Sequence, residues 1–202
     1  MLAPHLLPAA DLDLPGLLAQ VARPEADTIG FVEVRYSRLL KTPLAVSGTL
    51  EHATDGTLVR RVEVPYHERT EIRGNDVVIE REGGRSRRFS LDRVPELQGL
   101  LGSIGAMLRG DATLLDRYFS ATLDGTLDAW QVLLVPNDPR LGQRLANIAI
   151  DGTRQGARCF IMNQPTGDAS IIALGVSSVE QVPHAVRADF KSWCAAPGRH
   201  GP

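Results

Sequence analysis

Residues 94–119 begin with Val-Pro-Glu-Leu-Gln-Gly-Leu-Leu-Gly-Ser-Ile-Gly-Ala-Met-Leu-Arg-Gly-Asp and end at Tyr118-Phe119. Apolar residues recur at helical spacing along this segment, which predicts an amphipathic helix that breaks at Gly110-Asp111 and resumes as a second, shorter helix. Short segments separated by turn residues precede and follow it, a pattern typical of antiparallel strands. The sequence therefore predicts an α+β fold, in which helices cover a curved antiparallel sheet and leave an apolar cavity between the two.

Turn signals recur about every ten residues on both sides of the helical segment. The predicted turns that contain glycine are Asp55-Gly56, Gly74-Asn75, Gly83-Gly84, Asp124-Gly125, Asp151-Gly152 and Gly167-Asp168. Asp-Gly pairs favour tight hairpins, because glycine adopts positive φ without strain. This spacing indicates a meander of strands rather than βαβ units. Two further helices are predicted near the ends of the chain, over residues 11–22 and 182–194.

The composition is that of an ordinary soluble protein. The chain has 202 residues, of which 43% are hydrophobic and 23% charged, and its formal net charge is −2. Nucleic acid is not expected as a partner, because phosphate binding requires a clear basic excess. Arginines cluster over residues 81–88, where they indicate either a solvated hairpin face or an anion- or membrane-binding patch. No apolar run reaches the ~18 residues of a membrane-spanning helix, and residues 1–10 do not form a secretory signal.

The sequence shows no pattern of catalytic or metal-binding residues. Its five histidines are dispersed and lack the spacing of a metal site. No nucleophile elbow, phosphate loop or dinucleotide fingerprint is present. Glu33 and Glu51 could face each other across strands, but such a pair is more often a solvated sheet face than an acid–base dyad. We therefore predict no catalytic residue, no metal site and no cofactor, and a binding function is favoured over an enzyme.

An incomplete helical cover over a curved sheet leaves an apolar pocket. The residues that we expect to line this lipid-binding pocket are Leu50, Val62, Val64, Val77, Ile79, Phe89, Leu97, Leu101, Ile104, Leu108, Trp130, Val132, Leu134, Ile148, Ile150 and Phe160. For any one of them the alternative is an ordinary core position, and a register shift of one residue would move a strand side chain to the other face. Gly99, Gly102 and Gly105 on the helix indicate either close packing on the sheet or a loosely held helix.

The chain has two cysteines, Cys159 and Cys194. In an oxidising compartment they could pair, and the disulfide would close a loop of about 35 residues and contribute roughly 3–4 kcal/mol. In a reducing compartment they would be two buried thiols. The sequence alone leaves both alternatives open.

An ordered set of short motifs resembles the LolA-type superfamily of periplasmic outer-membrane lipoprotein carriers, and most closely its LolA-related branch. The motifs are Asp-Leu-Asp-Leu at residues 11–14, Phe31-Val-Glu33-Val-Arg35, Leu40-x-x-Pro43-Leu44, Ser47-Gly48-Thr-Leu50, Arg60-x-x-x-x-Pro65, Pro95-Glu-Leu, Leu108-x-Gly110-Asp111, Phe119, Trp130 with Pro136, and Gly167-Asp168-x-Ser170. Together they cover residues 11–175. No single motif is diagnostic, but their order along the chain is fairly specific.

The resemblance implies an incomplete, or half, β-barrel closed by helices around an apolar cavity. It implies residence in the periplasm after removal of a signal peptide, which this sequence does not contain. It also implies acylated lipoprotein cargo, taken from an inner-membrane releasing complex and delivered to an outer-membrane acceptor. Some relatives belong to aryl-polyene or other lipid export systems, so the cargo could be another lipid. Arg35 and Arg38 are candidates for the functional arginine of the principal carrier, and the alternative for both is an ordinary surface arginine.

We therefore expect a non-enzymatic periplasmic carrier, or chaperone, of lipoproteins or other lipids that acts as a monomer. Residues 1–10 are expected to be a disordered remnant or an added start, residues 11–194 a single LolA-like domain, and residues 195–202 a disordered tail. One alternative is a lipid-sensing regulatory protein on the same fold, which would need an additional partner-binding domain. A second alternative is a hydrolase of lipid esters.

Overall fold

The computed structural model describes residues 12–23, 25–176 and 178. Within these residues the helices are α1 (Leu14–Val21), α2 (Pro95–Arg109), α3 (Ala112–Tyr118) and α4 (Pro139–Gly142), with a 3-10 turn at Leu91–Arg93. The strands are β1 (Asp27–Tyr36), β2 (Leu44–His52), β3 (Leu58–Val64), β4 (Glu68–Arg73), β5 (Asp76–Arg81), β6 (Arg87–Ser90), β7 (Phe119–Thr126), β8 (Ala129–Pro136), β9 (Asn147–Thr153), β10 (Gly156–Asn163) and β11 (Ala169–Leu174). The predicted helix over residues 182–194 and the predicted tails, residues 1–10 and 195–202, lie outside the described residues.

The described strands form one antiparallel sheet in the order β6-β5-β4-β3-β2-β1-β11-β10-β9-β8-β7. Strands β1 to β6 are one meander and β7 to β11 are a second, and pairing of β1 with β11 joins them. Among the described residues the edge strands β6 and β7 do not pair with each other, so the curved sheet remains open. The predicted α+β fold with an incomplete barrel is confirmed.

The helical segment between the two meanders follows its local sequence signals. Helix α2 has Pro95 in its first turn, where the missing N–H removes no helical hydrogen bond. It ends at Gly110, which adopts the left-handed conformation with φ 68°. Helix α1 is capped by Asp13, whose carboxylate accepts a backbone hydrogen bond at 2.8 Å. Phe119, which we predicted to be helical, begins β7 instead, because α3 ends one residue earlier.

Apolar clusters cover both faces of the sheet, because successive side chains of a strand point to opposite sides. The inner cluster, on the face that carries α1, α2 and α3, consists of Leu17, Leu18, Val21, Phe31, Val46, Val62, Ala106, Met107, Leu115, Phe119, Trp130, Val132, Leu134, Leu141, Leu145, Ile148, Ile150, Phe160 and Ile172. The outer cluster consists of Val32, Val34, Ala149, Cys159, Ile161, Ile171, Ala173 and Val176. A smaller end cluster consists of Ile72, Val77 and Leu91, and Leu101 of α2 packs against it.

Two of the predicted turns are wrong. Asp124-Gly125 lies within β7 and Asp151-Gly152 lies within β9, whereas the chain reverses at residues 127–128 and 154–155. A Cβ on Gly125 would lie 2.2 Å from the carbonyl oxygen of Ala129 on the neighbouring strand. Gly125 also adopts a φ of 95°. Glycine is therefore required there by the close approach of another strand and by this backbone conformation, although the residue does not lie in a turn.

At Gly152 the close neighbour is Trp130, which lies directly opposite on β8. The indole covers the glycine so closely that a Cβ would lie 2.0 Å from the ring carbon Cζ2. The indole Nε1 donates a hydrogen bond to the carbonyl oxygen of Thr153 at 3.0 Å, which fixes the orientation of the ring. Glycine at this position makes room for a tryptophan of the inner cluster.

Replacing Gly152 with alanine is expected to lower the free energy of unfolding by about 1–3 kcal/mol, the usual cost of overpacking a filled site. Gly102→Ala is the matched control, because a Cβ at that helical position meets nothing within 4 Å. The control is expected to raise the free energy of unfolding by up to about 1 kcal/mol through helix propensity. Urea unfolding followed by circular dichroism measures both changes, and equal stability of Gly152→Ala and the wild type would contradict the packing argument.

The edge strand β6 is short and basic. It has four residues, Arg87–Ser90, and among the described strands it pairs with β5 alone. Arg87 and Arg88 are exposed to solvent, as are the other arginines of residues 81–88. The predicted arginine cluster therefore occupies an exposed hairpin at one edge of the sheet.

Candidate functional site

A cavity of about 270 Å³ lies between α2 and the ends of β2 to β5, and we call it the α2 cavity. Its apolar lining consists of Leu58, Ile72, Leu91 and Leu101. The other lining residues are His52, Gly56, Gly74, Asn75, Gln98, Gly102, Gly105, Arg109 and Tyr118. Two hairpins, β2–β3 and β4–β5, thus form one side of the cavity, and α2 forms the other.

The three regularly spaced glycines of α2 have different surroundings. A Cβ on Gly99 would lie 3.0 Å from the ring of Phe119, so this glycine allows close packing on the inner cluster. A Cβ on Gly102 would meet nothing within 4 Å, because this face of the helix borders the α2 cavity. A Cβ on Gly105 would lie 2.9 Å from a guanidinium nitrogen of Arg109. Close packing therefore explains Gly99, whereas the absence of a side chain at Gly102 leaves empty space in the α2 cavity.

Polar groups without a protein partner also line the α2 cavity. Nδ1 of His52 is buried and makes no hydrogen bond within the part of the chain that the structure describes. Arg109 makes no ion pair and no side-chain hydrogen bond to any described residue. No acidic side chain belongs to the described lining. The cavity is therefore amphipathic, because its lining contains both apolar side chains and unpaired nitrogen groups.

Most of the predicted pocket residues belong to one of two clusters. Those in or against the inner cluster are Leu50, Val62, Ile104, Trp130, Val132, Leu134, Ile148, Ile150 and Phe160. Those in or against the end cluster are Val77, Ile79, Phe89 and Leu101. Val64 is 51% exposed, Leu108 is half-buried, and the side chain of Leu97 lies outside the described residues. Leu101 is the member of this set that lines the α2 cavity, and a lipid-binding role stays a prediction for every residue of the set, Leu101 included.

Sequence analysis did not identify the polar lining residues of the α2 cavity. The residues of α2 that line the cavity could have been grouped from their spacing, since residues three or four apart share one face of a helix. The residues on this face are Gln98, Leu101, Gly102, Gly105 and Arg109. No comparable signal marks His52 and Tyr118, because a strand end and a second helix bring them to the cavity through tertiary packing.

A charged network lies on the inner face of the sheet around Glu33 of β1. Glu33 is 3% exposed and accepts hydrogen bonds from Arg35 Nε at 2.6 Å, Arg60 Nη2 at 2.6 Å and Ser170 Oγ at 2.7 Å. Burial acts to raise the pKa of the Glu33 carboxyl. The hydrogen bond from Arg35 and the positive charge of Arg60 together outweigh burial, so the pKa lies below its usual value. Glu33 is therefore an ionised residue inside the fold.

The interpretation of Glu33 and Glu51 as a facing pair on a solvated sheet face is wrong. Val46 lies opposite Glu33 on β2, and Glu51 pairs with a residue near the other end of β1. Of the two candidate functional arginines, Arg35 holds the buried Glu33, and Arg38 is exposed beyond the end of β1. The structure therefore gives Arg35 a role as an ion-pair partner.

The sequence matches the family model described as outer membrane lipoprotein carrier protein LolA-like over residues 7–190. This match includes every element that borders the α2 cavity. The chain belongs to the LolA-like family. The resemblance seen in the sequence motifs is thereby confirmed. No curated protein sequence matches this LolA-like chain.

The solved structures that match the LolA-like chain have low sequence identity to it. A LolA superfamily protein from Nitrosomonas europaea has a TM-score of 0.44 at 10% identity, and the match covers 81% of this chain and 91% of that chain. The Pseudomonas aeruginosa MucA/MucB complex has a TM-score of 0.41 at 12% identity, covering 88% and 62%. A domain from Vibrio parahaemolyticus, described as an outer membrane lipoprotein-sorting protein domain, has a TM-score of 0.42 at 10% identity, covering 89% and 95%.

Several expected features of the LolA-like chain concern metals, membranes and cysteines. Within the described residues no group of three or more His, Cys, Asp and Glu side chains is arranged to hold a metal ion. None of the helices in this part of the chain has the length and apolar character needed to span a bilayer. Cys159 is buried in the outer cluster. Cys194 lies outside the described residues, so the Cys159–Cys194 disulfide stays a prediction.

Proposed function

We propose that this LolA-like protein is a periplasmic carrier that holds acyl chains in the α2 cavity. The observation that supports the proposal is the space between α2 and the hairpins at Gly102, where the helix presents no side chain. Leu58, Ile72 and Leu101 contribute apolar lining to this space. Membership of a family described by lipoprotein carriage supports the same function.

We infer that the cargo is an acylated lipoprotein or another lipid, for example of the aryl-polyene type. The protein would receive it from an inner-membrane releasing complex and deliver it to an outer-membrane acceptor. It would act as a monomer, without a cofactor and without catalysing a reaction. Apolar contact with the cargo is enough for this task, because a carrier has to bind and release its ligand unchanged.

The size of the α2 cavity sets the strength of binding. Its volume of about 270 Å³ is slightly below the range of roughly 300–1,000 Å³ that is common for ligand pockets. Each buried methylene contributes about 0.8 kcal/mol, before the costs of ordering the ligand are subtracted. A chain that is partly buried would thus bind firmly enough to be carried and weakly enough to be released.

The test is displacement of a fluorescent hydrophobic probe from the purified protein. We expect palmitate to displace the probe below its micelle concentration. Butyrate has the same head group and should be weaker by at least about a hundredfold, because losing only four buried methylenes costs about 3 kcal/mol. Hexadecanol should also displace the probe, since the chain supplies most of the affinity. A probe that no long acyl or alkyl chain displaces would contradict the carrier function.

A further inference from the structure

The α2 cavity offers more hydrogen-bonding capacity than a hydrocarbon chain can use. The buried Nδ1 of His52 has no partner among the described residues. Leaving such a buried group without a hydrogen-bond partner is unfavourable. A ligand made only of methylene groups would leave that cost in place, whereas a ligand with oxygen atoms near His52 would remove it.

The position of Arg109 is a second and independent observation. A cation in the last turn of a helix interacts favourably with the helix dipole, which accounts for a basic residue at this place. It does not account for the path of the side chain, whose two terminal nitrogens lie 2.9 and 3.2 Å from the Cβ position of Gly105. The guanidinium thus lies back along α2 at the α2 cavity, in space that any residue larger than glycine would occupy.

No neighbouring carboxylate in the described structure competes for this guanidinium. Asp92, in the 3-10 turn just before α2, accepts hydrogen bonds from Asn75 at 2.9 Å and Ser90 at 3.1 Å. It does not line the α2 cavity. The positive charge of Arg109 is therefore available to a ligand.

We propose that the α2 cavity selects amphiphiles with an anionic head group, either a carboxylate or a phosphate monoester, and that Arg109 and His52 bind this group at the cavity rim. The inference rests on the proposed acyl-binding function and adds the class of head group. The alkyl chain would lie along Gly102 and Leu101 towards the end cluster. The head group would remain beside the exposed guanidinium, so its charge would not be fully buried.

The chemistry of the two residues suits such a ligand. A guanidinium presents paired N–H donors that match the two oxygens of a carboxylate or phosphate. Hydrogen bonds between charged groups are roughly twice as strong as those between neutral groups. A neutral alcohol of equal chain length would make the same apolar contacts but no charge-assisted hydrogen bond. Head-group preference at constant chain length is therefore the property that separates this inference from simple hydrocarbon binding.

The experiment measures dissociation constants for four ligands that share a 16-carbon chain: palmitate, hexadecyl phosphate, hexadecanol and hexadecyltrimethylammonium. We expect palmitate or hexadecyl phosphate, or both, to bind about tenfold more tightly than hexadecanol, which corresponds to one charge-assisted hydrogen bond. The trimethylammonium ligand should bind more weakly than hexadecanol. Comparison of palmitate with hexadecyl phosphate shows whether a carboxylate or a phosphate is preferred.

Two variants test whether Arg109 is responsible for the preference for anionic head groups. Arg109→Gln is expected to reduce the ratio between anionic and neutral ligands to about one. Arg117→Gln is the matched control, because Arg117 also lies in the last turn of a helix, α3, but does not line the α2 cavity, and it should keep the tenfold ratio. Circular dichroism of both variants serves as the control for correct folding.

The outcomes separate this inference from the function on which it rests. Equal affinity of the wild type for all four ligands, or an unchanged ratio in Arg109→Gln, would overturn the head-group proposal and leave the carrier function standing. Failure of every 16-carbon ligand to bind would overturn both.

Discussion

Replacing Glu33 with glutamine is expected to lower the free energy of unfolding by about 3–5 kcal/mol, the cost of removing one partner of a buried ion pair. The Glu33 carboxylate is the acceptor that Arg35, Arg60 and Ser170 share. The side chain of Arg60 is only 19% exposed. Without the Glu33 carboxylate, its guanidinium would keep one ion-pair partner among the described residues, the more distant Glu68 at 3.7 Å. Chemical unfolding followed by circular dichroism measures the change.

Glu51→Gln is the matched control for this substitution. Glu51 also pairs with an arginine of β3, Arg61, at 2.9 Å, but its side chain is 36% exposed. Exposed ion pairs contribute at most about 1 kcal/mol, because water and salt screen them. Equal losses of stability in the two variants would show that burial does not determine the importance of Glu33.

The pH dependence of stability gives a second measurement on the same carboxylate. The pKa of Glu33 is lower in the folded chain than in the unfolded chain. Its contribution to the free energy of unfolding is therefore complete above the unfolded pKa of about 4.3 and is lost as the pH falls below that value towards the folded pKa. We expect stability to fall more steeply with acidification in the wild type than in Glu33→Gln. Identical slopes would mean that another group dominates acid unfolding.

Replacing Gly102 with phenylalanine is expected to weaken binding of palmitate by at least about tenfold. A side chain at this position would enter the α2 cavity, because a Cβ there meets no atom within 4 Å. Excluding only two methylenes of the ligand would cost about 1.6 kcal/mol, which is more than tenfold in the dissociation constant. Probe displacement measures the affinity, and unfolding experiments should show little loss of stability, since the new side chain fills empty space.

Gly142→Phe is the control for this substitution. A Cβ on Gly142 also meets nothing within 4 Å, and Gly142 lies on α4, away from the α2 cavity. This variant should bind palmitate as the wild type does. Normal affinity in Gly102→Phe would show that acyl chains bind elsewhere, with the predicted pocket residues of the inner cluster as the next region to test.

Local sequence signals were sufficient for most of the architecture. The helix break at Gly110 was predictable because it depends on a residue and its immediate neighbours. The same logic failed at Gly125 and Gly152, which resemble turn glycines in sequence but are required by groups on adjacent strands. A glycine that accommodates a distant residue cannot be distinguished from a turn glycine without knowledge of strand pairing.

The candidate site was less predictable than the fold. Sequence pattern correctly indicated that one face of residues 97–108 is apolar, but it could not separate Leu101, which lines the cavity, from Ile104, which packs against the inner cluster. The burial of Glu33 was not predictable either. The alternation of residues along β1 does not show that Arg60 of β3 and Ser170 of β11 lie within hydrogen-bond distance of its carboxylate. Charge pairing across a sheet is a property of register, and register is set by the whole fold.

The unclosed sheet has a consequence for behaviour at high concentration. An edge strand has backbone hydrogen-bond donors and acceptors that can pair with a strand of a second molecule, and repeated pairing of this kind builds fibrils. On β6 this route is unfavourable, because two copies meeting edge to edge would bring the exposed Arg87 and Arg88 of each molecule against like charges. The basic β6 border of the half-barrel thus disfavours edge-to-edge association at this strand.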